Sequence, residues 1–232
     1  MTDVETVDLE RLALRAGREL DTAPAQEIVR WAARTFGARF AVASSMQDAV
    51  LVHLVSRVAP GVDVLFLDTG YHFAETLGTR DAVAATYGVN LITVTPRRTV
   101  AEQDASEGPK LHDRDPDRCC RLRKVEPLDR ALAGYDAWAT ALRRVDSPTR
   151  AAAPVVSYDA KRGKVTVAPM AAWSDSDVAD YIAEHAVLVN PLVAAGYPSI
   201  GCAPCTRAVA PGEDPRAGRW AGSAKTECGI HG

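Results

Sequence analysis

The residues with the most chemical potential in this 232-residue chain are its five cysteines, at positions 119, 120, 202, 205 and 228. Four form two pairs, Cys119-Cys120 and Cys202-Ala-Pro-Cys205. The fifth stands near the end, in Lys225-Thr-Glu-Cys228-Gly-Ile-His231. Cysteines are often simply buried, but Cys119-Cys120 is flanked by Asp117, Arg118, Arg121 and Arg123, poor surroundings for an apolar core. Cys202-Ala-Pro-Cys205 has the spacing of a redox dithiol. Such a motif usually opens a helix after a strand, however, and here it follows Pro198 and Gly201 in a Gly/Pro-rich stretch.

The remaining reading joins both pairs as four thiolates on one metal centre. Zinc takes four cysteines, usually from two spaced pairs. Adjacent cysteines strain a one-ion site, whereas two corners of an iron–sulfur cubane lie farther apart and accept them. Spacing therefore leaves zinc open and leans towards a four-iron, four-sulfur cluster. Cys228 then has no partner. Nearby Lys and His favour a thiolate, and Gly229 suits a mobile tail.

The elements that would position these residues follow from hydrophobic periodicity. Residues 9–20 and 25–36 read as amphipathic helices. Phe40-Ala-Val-Ala43 is a short buried strand running into Ser44-Ser45-Met46-Gln47-Asp48. A helix over 48–58 follows, then a strand at Val64–Leu67 ending in Asp68-Thr69-Gly70, a helix from His72 to Tyr87 with Gly88 as its cap, and a strand at Leu91–Thr95. Strands of Val, Leu and Ile joined by helical crossovers imply a parallel sheet covered on both faces. Ligands of such sheets bind beyond the carboxyl ends of the strands, where Ser44–Asp48 and Asp68–Gly70 lie. Further on, Asp117–Ala133 reads as one helix carrying two cysteines, and Tyr135–Ala141 as a fourth strand. Val155–Tyr158 and Val165–Ala168 form a hairpin around Gly163, and Ser174–Asp177 caps a helix to His185. The chain beyond Asn190 reads as a long ordered loop with a tail. These elements divide the chain into N-terminal helices (1–38), an α/β domain carrying the paired cysteines (39–205) and a C-terminal tail (206–232).

Composition narrows the function classes. Lys plus Arg total 27 against 30 for Asp plus Glu, a formal net charge of -3. That balance gives no broad field for nucleic acid or membrane surfaces. No apolar run approaches membrane-spanning length. The acidic start MTDVETVDLE lacks the order of a secretory signal, so a cytoplasmic protein without a disulfide framework is expected.

Several motifs converge on one family. Leu67-Asp-Thr-Gly-Tyr-His72, Cys119-Cys-Arg-Leu-Arg-Lys124, Ile200-Gly-Cys-Ala-Pro-Cys205, Pro215-Arg-Ala-Gly-Arg-Trp220 and Lys225-Thr-Glu-Cys-Gly-Ile-His231 together resemble the bacterial-type assimilatory adenylylsulfate (APS) reductases, the iron–sulfur branch of the phosphoadenylylsulfate (PAPS) reductase family. The resemblance runs from about Phe40 to His231. It implies an α/β parallel-sheet fold of the adenine-nucleotide alpha hydrolase (ATP pyrophosphatase) type, with three layers and a loop-rich C-terminal tail. It implies that the α/β domain (39–205) binds nucleotide and that the tail (206–232) is mobile and catalytic. It implies a [4Fe-4S] cluster on Cys119, Cys120, Cys202 and Cys205, and Cys228 as the catalytic thiol. The implied reaction turns APS into sulfite and AMP with electrons from reduced thioredoxin, in sulfate assimilation and cysteine biosynthesis. Arg216 and Arg219, Lys124 and His231 would hold substrate or the closed tail. Of Arg143 and Arg144, the family pattern favours Arg143 as a phosphate contact. Ser44, Ser45, Asp68, Thr69 and Gly70 would line the nucleotide pocket. Met46 and His53 are expected in the core or at its rim, His72 in a structural role, and Trp220 packing the tail.

One departure is informative. Pyrophosphatases of this fold carry a Ser-Gly-Gly-x-Asp-Ser loop, where this chain has Ser44-Ser-Met-Gln-Asp48. Losing the glycines disfavours wrapping a triphosphate and leaves a smaller phosphosulfate acceptable. The rival readings are a PAPS reductase, which needs one more cationic contact, and a tRNA-thiolating iron–sulfur enzyme, which would keep the pyrophosphatase loop and a basic surface. A non-catalytic zinc or electron-transfer module would leave Cys228 and the arginine pair without a task. A homo-oligomer stays open.

Overall fold

The structure is a computed structural model that describes residues 3–223 and 225–230. His231, expected at the substrate, lies outside the described residues. Helices α1 (Asp3–Glu19) and α2 (Ala25–Phe36) lead into β1 (Phe40–Ala43), α3 (Val50–Val58), β2 (Asp63–Leu67), α4 (Ala74–Thr86) and β3 (Asn90–Val94). Then come α5 (Val100–Glu107), α6 (Leu111–Arg114), α7 (Pro116–Cys120) and α8 (Glu126–Ala131), followed by β4 (Ala137–Ala139), β5 (Val156–Asp159) and β6 (Lys164–Val167). Helices α9 (Asp175–His185) and α10 (Pro191–Ala194) precede the tail.

The six strands form one sheet in the order β3-β2-β1-β4-β6-β5. All neighbours are parallel except the hairpin pair β5 and β6. The period-two alternation of each strand sends residues to two cores. Phe40, Val42, Val64, Phe66, Ala137 and Ala139 face the larger one, built with the N-terminal helices. Ala41, Leu65 and Trp138 face the smaller one, closed by Leu128 and Leu132. The result is a three-layer α/β fold, as expected. From β1 the chain winds outward through β2 to β3, then returns to place β4 on the other side of β1. The reversal makes the carboxyl ends of β1 and β4 the place where such folds open a ligand crevice.

Some local expectations need correction. Gly88 does not cap α4; Tyr87 ends that helix in extended conformation (φ -103, ψ 142). The stretch after Asn190 is not all loop, since it contains α10 and a tight turn at Ala203–Cys205. The expected helix over Asp117–Ala133 is continuous, but Arg121–Val125 forms a π turn within it. Helices α5 and α6 have no counterpart among the expected elements. The signal for α5 was available: Thr99 and Glu102 form a capping box.

Asn190, almost wholly buried, ties the loop after β1 to the C-terminal half. Its amide donates to the Met46 carbonyl and to Thr76 Oγ1, both at 3.1 Å, and its Oδ1 caps α10. Gln47 adds to this, its side chain accepting from Ile200 N at 3.0 Å.

Candidate active site

Helix α7 begins on an Asp115 cap, with Pro116 at its first position, where a missing N–H costs nothing. It delivers Cys119 and Cys120, both buried, to the carboxyl edge of the sheet. Cys202 and Cys205 reach the same place from the loop that Ala203 N anchors to the Tyr71 carbonyl at 2.7 Å. All four sulfur-bearing side chains line one small pocket, together with Lys124, Arg123 and Trp220. The π turn widens the helix right after the cysteines and turns Arg123 and Lys124 into this region; such turns recur at functional sites.

The electrostatics of the pocket are unusual. Burial, then the other thiols nearby, pushes the Cys119 thiol up to about 12 and Cys205 up to about 11; burial raises Cys120 too. These three thiols resist becoming anions by themselves. Arg123 is buried beside them, held by the Thr69 and Arg98 carbonyls and by Gln103 Oε1, and stacked 5.2 Å from the Tyr71 ring. Burial disfavours the Lys124 ammonium, but the sulfurs of Cys202 and Cys228 favour it and its pKa is held up.

These residues fit a metal cluster. No group of three His, Cys, Asp or Glu stands out as a metal site among the described residues. The four thiols line one pocket. Four cysteines are the ligand set of a four-iron cluster and also of a structural zinc ion. The buried cations answer the negative charge that four thiolates would bring. The Trp220 indole N–H is buried without a partner among the described residues and belongs to the same pocket, as a donor facing sulfur acceptors would.

The tail returns to this pocket through a hairpin-like turn. Arg207 N donates to the Gly218 carbonyl and Trp220 N to that of Cys205, both at 3.0 Å. A Cβ on Gly218 would come within 2.2 Å of the Arg207 carbonyl, so only glycine allows the approach. Arg219 is thereby driven inward, its guanidinium 4.5 Å from the Trp220 ring and within reach of Ser199 Oγ and the Ile200 carbonyl. Its Nε is buried with no partner among the described residues. Arg216 stays nearer the surface, donating to the Thr226 carbonyl at 2.8 Å. Cys228 lies within electrostatic range of Cys120, Lys124 and Arg219.

The other expected site residues divide. Ser44, which accepts weakly from Met46 N, and the exposed Ser45 follow β1. Asp68 follows β2; it accepts from Gly70 N at 2.9 Å and faces Arg80 at 3.8 Å. Thr69 is fully buried, and its hydroxyl meets Cys202 Sγ at 3.3 Å, so it adjoins the cysteine pocket. Arg143 follows β4 and pairs with Asp146 and Asp175 at 2.8 and 2.9 Å. Arg144 instead pairs with Asp21 and the Ala153 carbonyl, engaged with the N-terminal helices' side of the molecule. Met46 is core, and His53 sits at the rim against Tyr181 Oη at 2.9 Å. Beside the tail a cleft of about 490 Å³ opens over the β4–β6–β5 half of the sheet, lined among others by Trp138, Thr140, Thr166, Arg150, Glu227 and Ile230. Ser44, Ser45, Asp68, Thr69 and Gly70 are not among its walls. Arg150 is the contact the motifs did not reveal. It lies in a loop without periodicity and meets Glu227, 77 positions away in the chain.

A parallel sheet with its strand order reversed beside β1, and a charged site at that carboxyl edge, defines a protein of the adenine-nucleotide alpha-hydrolase-like class. Solved structures agree. Yeast FAD synthetase, at 12% identity, shares the fold, with a TM-score of 0.55 over 90% of this chain and 69% of its own. The phosphoadenylyl-sulfate reductase of Candida auris, at 31% identity, gives a TM-score of 0.72 over 82% of this chain and 94% of its own. Residues 38–208 match the phosphoadenosine phosphosulfate reductase domain, and the chain belongs to that family of oxidoreductases. Among curated relatives, the adenosine 5'-phosphosulfate reductase of Streptomyces coelicolor is 68% identical over 227 residues, covering 98% of this chain and 96% of the relative. Among the described residues no helix is long and apolar enough to cross a membrane.

Proposed function

We propose that the chain reduces adenylylsulfate to sulfite and AMP through a covalent intermediate on Cys228, with reduced thioredoxin as electron donor. The observation that carries this reading is Cys228 itself: a half-buried thiol within electrostatic range of Lys124, Arg219 and the pocket cysteine Cys120. The Cys228 thiolate attacks the substrate sulfur, forming an S–S bond as the S–O bond to phosphate breaks. AMP leaves with the electron pair and Cys228 carries a sulfonate. A thioredoxin thiolate then attacks Cys228 Sγ, and sulfite departs with the electrons of the S–S bond. The second thioredoxin thiol resolves the mixed disulfide, restoring Cys228.

Lys124, Arg216 and Arg219 stabilise charge on the sulfate and on the departing phosphate. Arg143, at the end of β4, is assigned to phosphate, and Ser44, Ser45, Asp68 and Gly70 to the nucleotide side. His231, from the tail motif, is assigned to substrate binding or tail closure. Cys119, Cys120, Cys202 and Cys205 would hold a [4Fe-4S] cluster, which would supply a covalent cross-link between α7 and the 202–205 loop and a fixed local charge. The tail beyond Cys205 works as a unit that closes for attack and opens for reduction, and the enzyme works in the cytoplasm.

Cys228→Ser tests the reading, because serine is nearly isosteric but a far poorer nucleophile. Iron content, visible spectrum and AMP affinity should match the parent while sulfite release falls to background. Substantial thioredoxin-dependent sulfite production by this variant would return attention to Cys202-Ala-Pro-Cys205 as the redox pair. Running the parent on both nucleotides separates the closest alternative, since preference for the 3′-phosphorylated substrate would make it a PAPS reductase.

A further inference from the structure

The segment around Cys228 is held by ion pairs on both sides. Lys225 Nζ pairs with Asp117 on α7, the helix of the cysteine pair. On the other side, the Glu227 carboxylate takes two hydrogen bonds from Arg150, at 3.0 Å from Nε and 2.7 Å from Nη2. This contact is half-buried, with the Arg150 side chain 14% and that of Glu227 30% exposed. Arg150 also meets Asp146 at 3.3 Å, and Asp146 holds Arg143 at 2.8 Å. Glu227 in turn faces Arg216 at 3.5 Å. An alternating chain of charges thus runs Arg143–Asp146–Arg150–Glu227–Arg216. It links the loop after β4 to the anion-gripping arginine of the tail through the residue next to Cys228.

Two weaker anchors follow it. The Ile230 side chain packs on the smaller core, and its carbonyl accepts from Arg162 at 2.9 Å. Neither is specific to Cys228. A bidentate arginine–carboxylate contact fixes both distance and orientation, so it sets the path of the backbone it belongs to.

We infer that Glu227 is the positioning residue for Cys228, its carboxylate latching the tail closed through Arg150. The inference rests on the reading that Cys228 is the reacting thiol, and it adds how that thiol is brought to the site. With the latch made, Cys228 is half-buried and within electrostatic range of Lys124 and Arg219. With the latch broken, the tail samples open positions and the thiol is exposed. The latch is electrostatic, so salt weakens it within the limits of its burial.

The test is the alkylation rate of Cys228 by iodoacetamide, a neutral reagent, on the anaerobically purified chain without substrate, with the modified peptide located by mass. Glu227→Gln should raise that rate on the order of fivefold, the shift a partly shielded ion pair can hold. Added salt should speed alkylation of the parent more than that of Glu227→Gln, which retains the Lys225–Asp117 pair. Arg150→Gln should also raise the rate, and the double variant should show less than the sum of the two single effects, since both remove the Arg150–Glu227 pair. In turnover, Glu227→Gln should lower kcat more than it raises KM, a split that loss of general stability would not produce. Should Arg150→Gln fold poorly, Glu227→Gln and the salt series carry the test by themselves. Unchanged alkylation in Glu227→Gln, or additive effects in the double variant, would overturn the inference. Failure of the catalytic reading would show separately, as sulfite production retained by Cys228→Ser with the alkylation results intact.

Discussion

Gly201 and Arg219 compete for one volume. A Cβ at position 201 would lie 2.4 Å from Arg219 Nη2 and 2.6 Å from Cζ. The glycine of the Gly-Cys-Ala-Pro-Cys motif is therefore there to admit a guanidinium, a reason the motif does not disclose. Arg219→Ala should weaken AMP binding by ~1.5–3 kcal/mol, the scale of hydrogen bonds to charged groups. Gly201→Ala should produce part of that loss by pushing the side chain aside, and combining the two should add nothing to Arg219→Ala. Calorimetric titration with AMP checks both; full affinity in Arg219→Ala would remove this residue from the anion site. The chemistry-bearing residues were the most legible part of the sequence, because paired cysteines and an Arg-x-x-Arg motif are rare as random surface. Their partners were not. That Thr69 meets Cys202, that Arg123 is buried against the Thr69 carbonyl, and that Arg150 meets Glu227 all depend on contacts between distant segments.

Secondary structure was legible where burial dictates composition. The runs Phe40–Ala43 and Asp63–Leu67 are short and apolar because both faces of the sheet are covered. The Ser174 cap likewise announced α9. Its side chain accepts from Asp177 N at 3.1 Å, and Ser174→Ala should cost ~1 kcal/mol of stability with unchanged sulfite production. A denaturant melt measures the first and an activity assay the second; a large activity loss would mean that α9 shapes the site beyond holding Arg143 through Asp175. The π turn at Arg121–Val125 had no such signal, since Arg, Leu, Lys and Val all suit an ordinary α-helix. It arises from tertiary demand: the cysteines must face the pocket while Arg123 reaches the Thr69 carbonyl. If α7 and the 202–205 loop are joined through a cluster, Cys202→Ser should lose iron and lower the melting temperature together, because a bound metal stabilises the fold it links. Full iron content in that variant would take Cys202 out of the ligand set.

At the scale of the molecule, the segment after Cys205 packs back on the sheet domain, through Arg150–Glu227, Lys225–Asp117 and the Trp220 N–H to the Cys205 carbonyl. α8 covers one face of the sheet near β2 and β3, while on the β4–β6–β5 half of that face Glu227, Gly229 and Ile230 of the tail wall the open cleft. The order of strands and helices was readable from the sequence; the reversal beside β1 was not, because periodicity says nothing about which strands become neighbours. Neither was the path of the tail, which depends on ion pairs between distant segments. On the proposed reading, such a protein would separate binding from chemistry, with Lys124, Arg216 and Arg219 holding charge and Cys228 acting as the nucleophile. The most direct measurement is the mass of the anaerobic protein after exposure to adenylylsulfate without any reductant. The Cys228 peptide should gain about 80 Da, one sulfur trioxide unit, with one AMP released per adduct, and reduced thioredoxin should then remove it as sulfite. An adduct on Cys202 or Cys205, or AMP and sulfite formed with Cys228 never modified, would contradict the account.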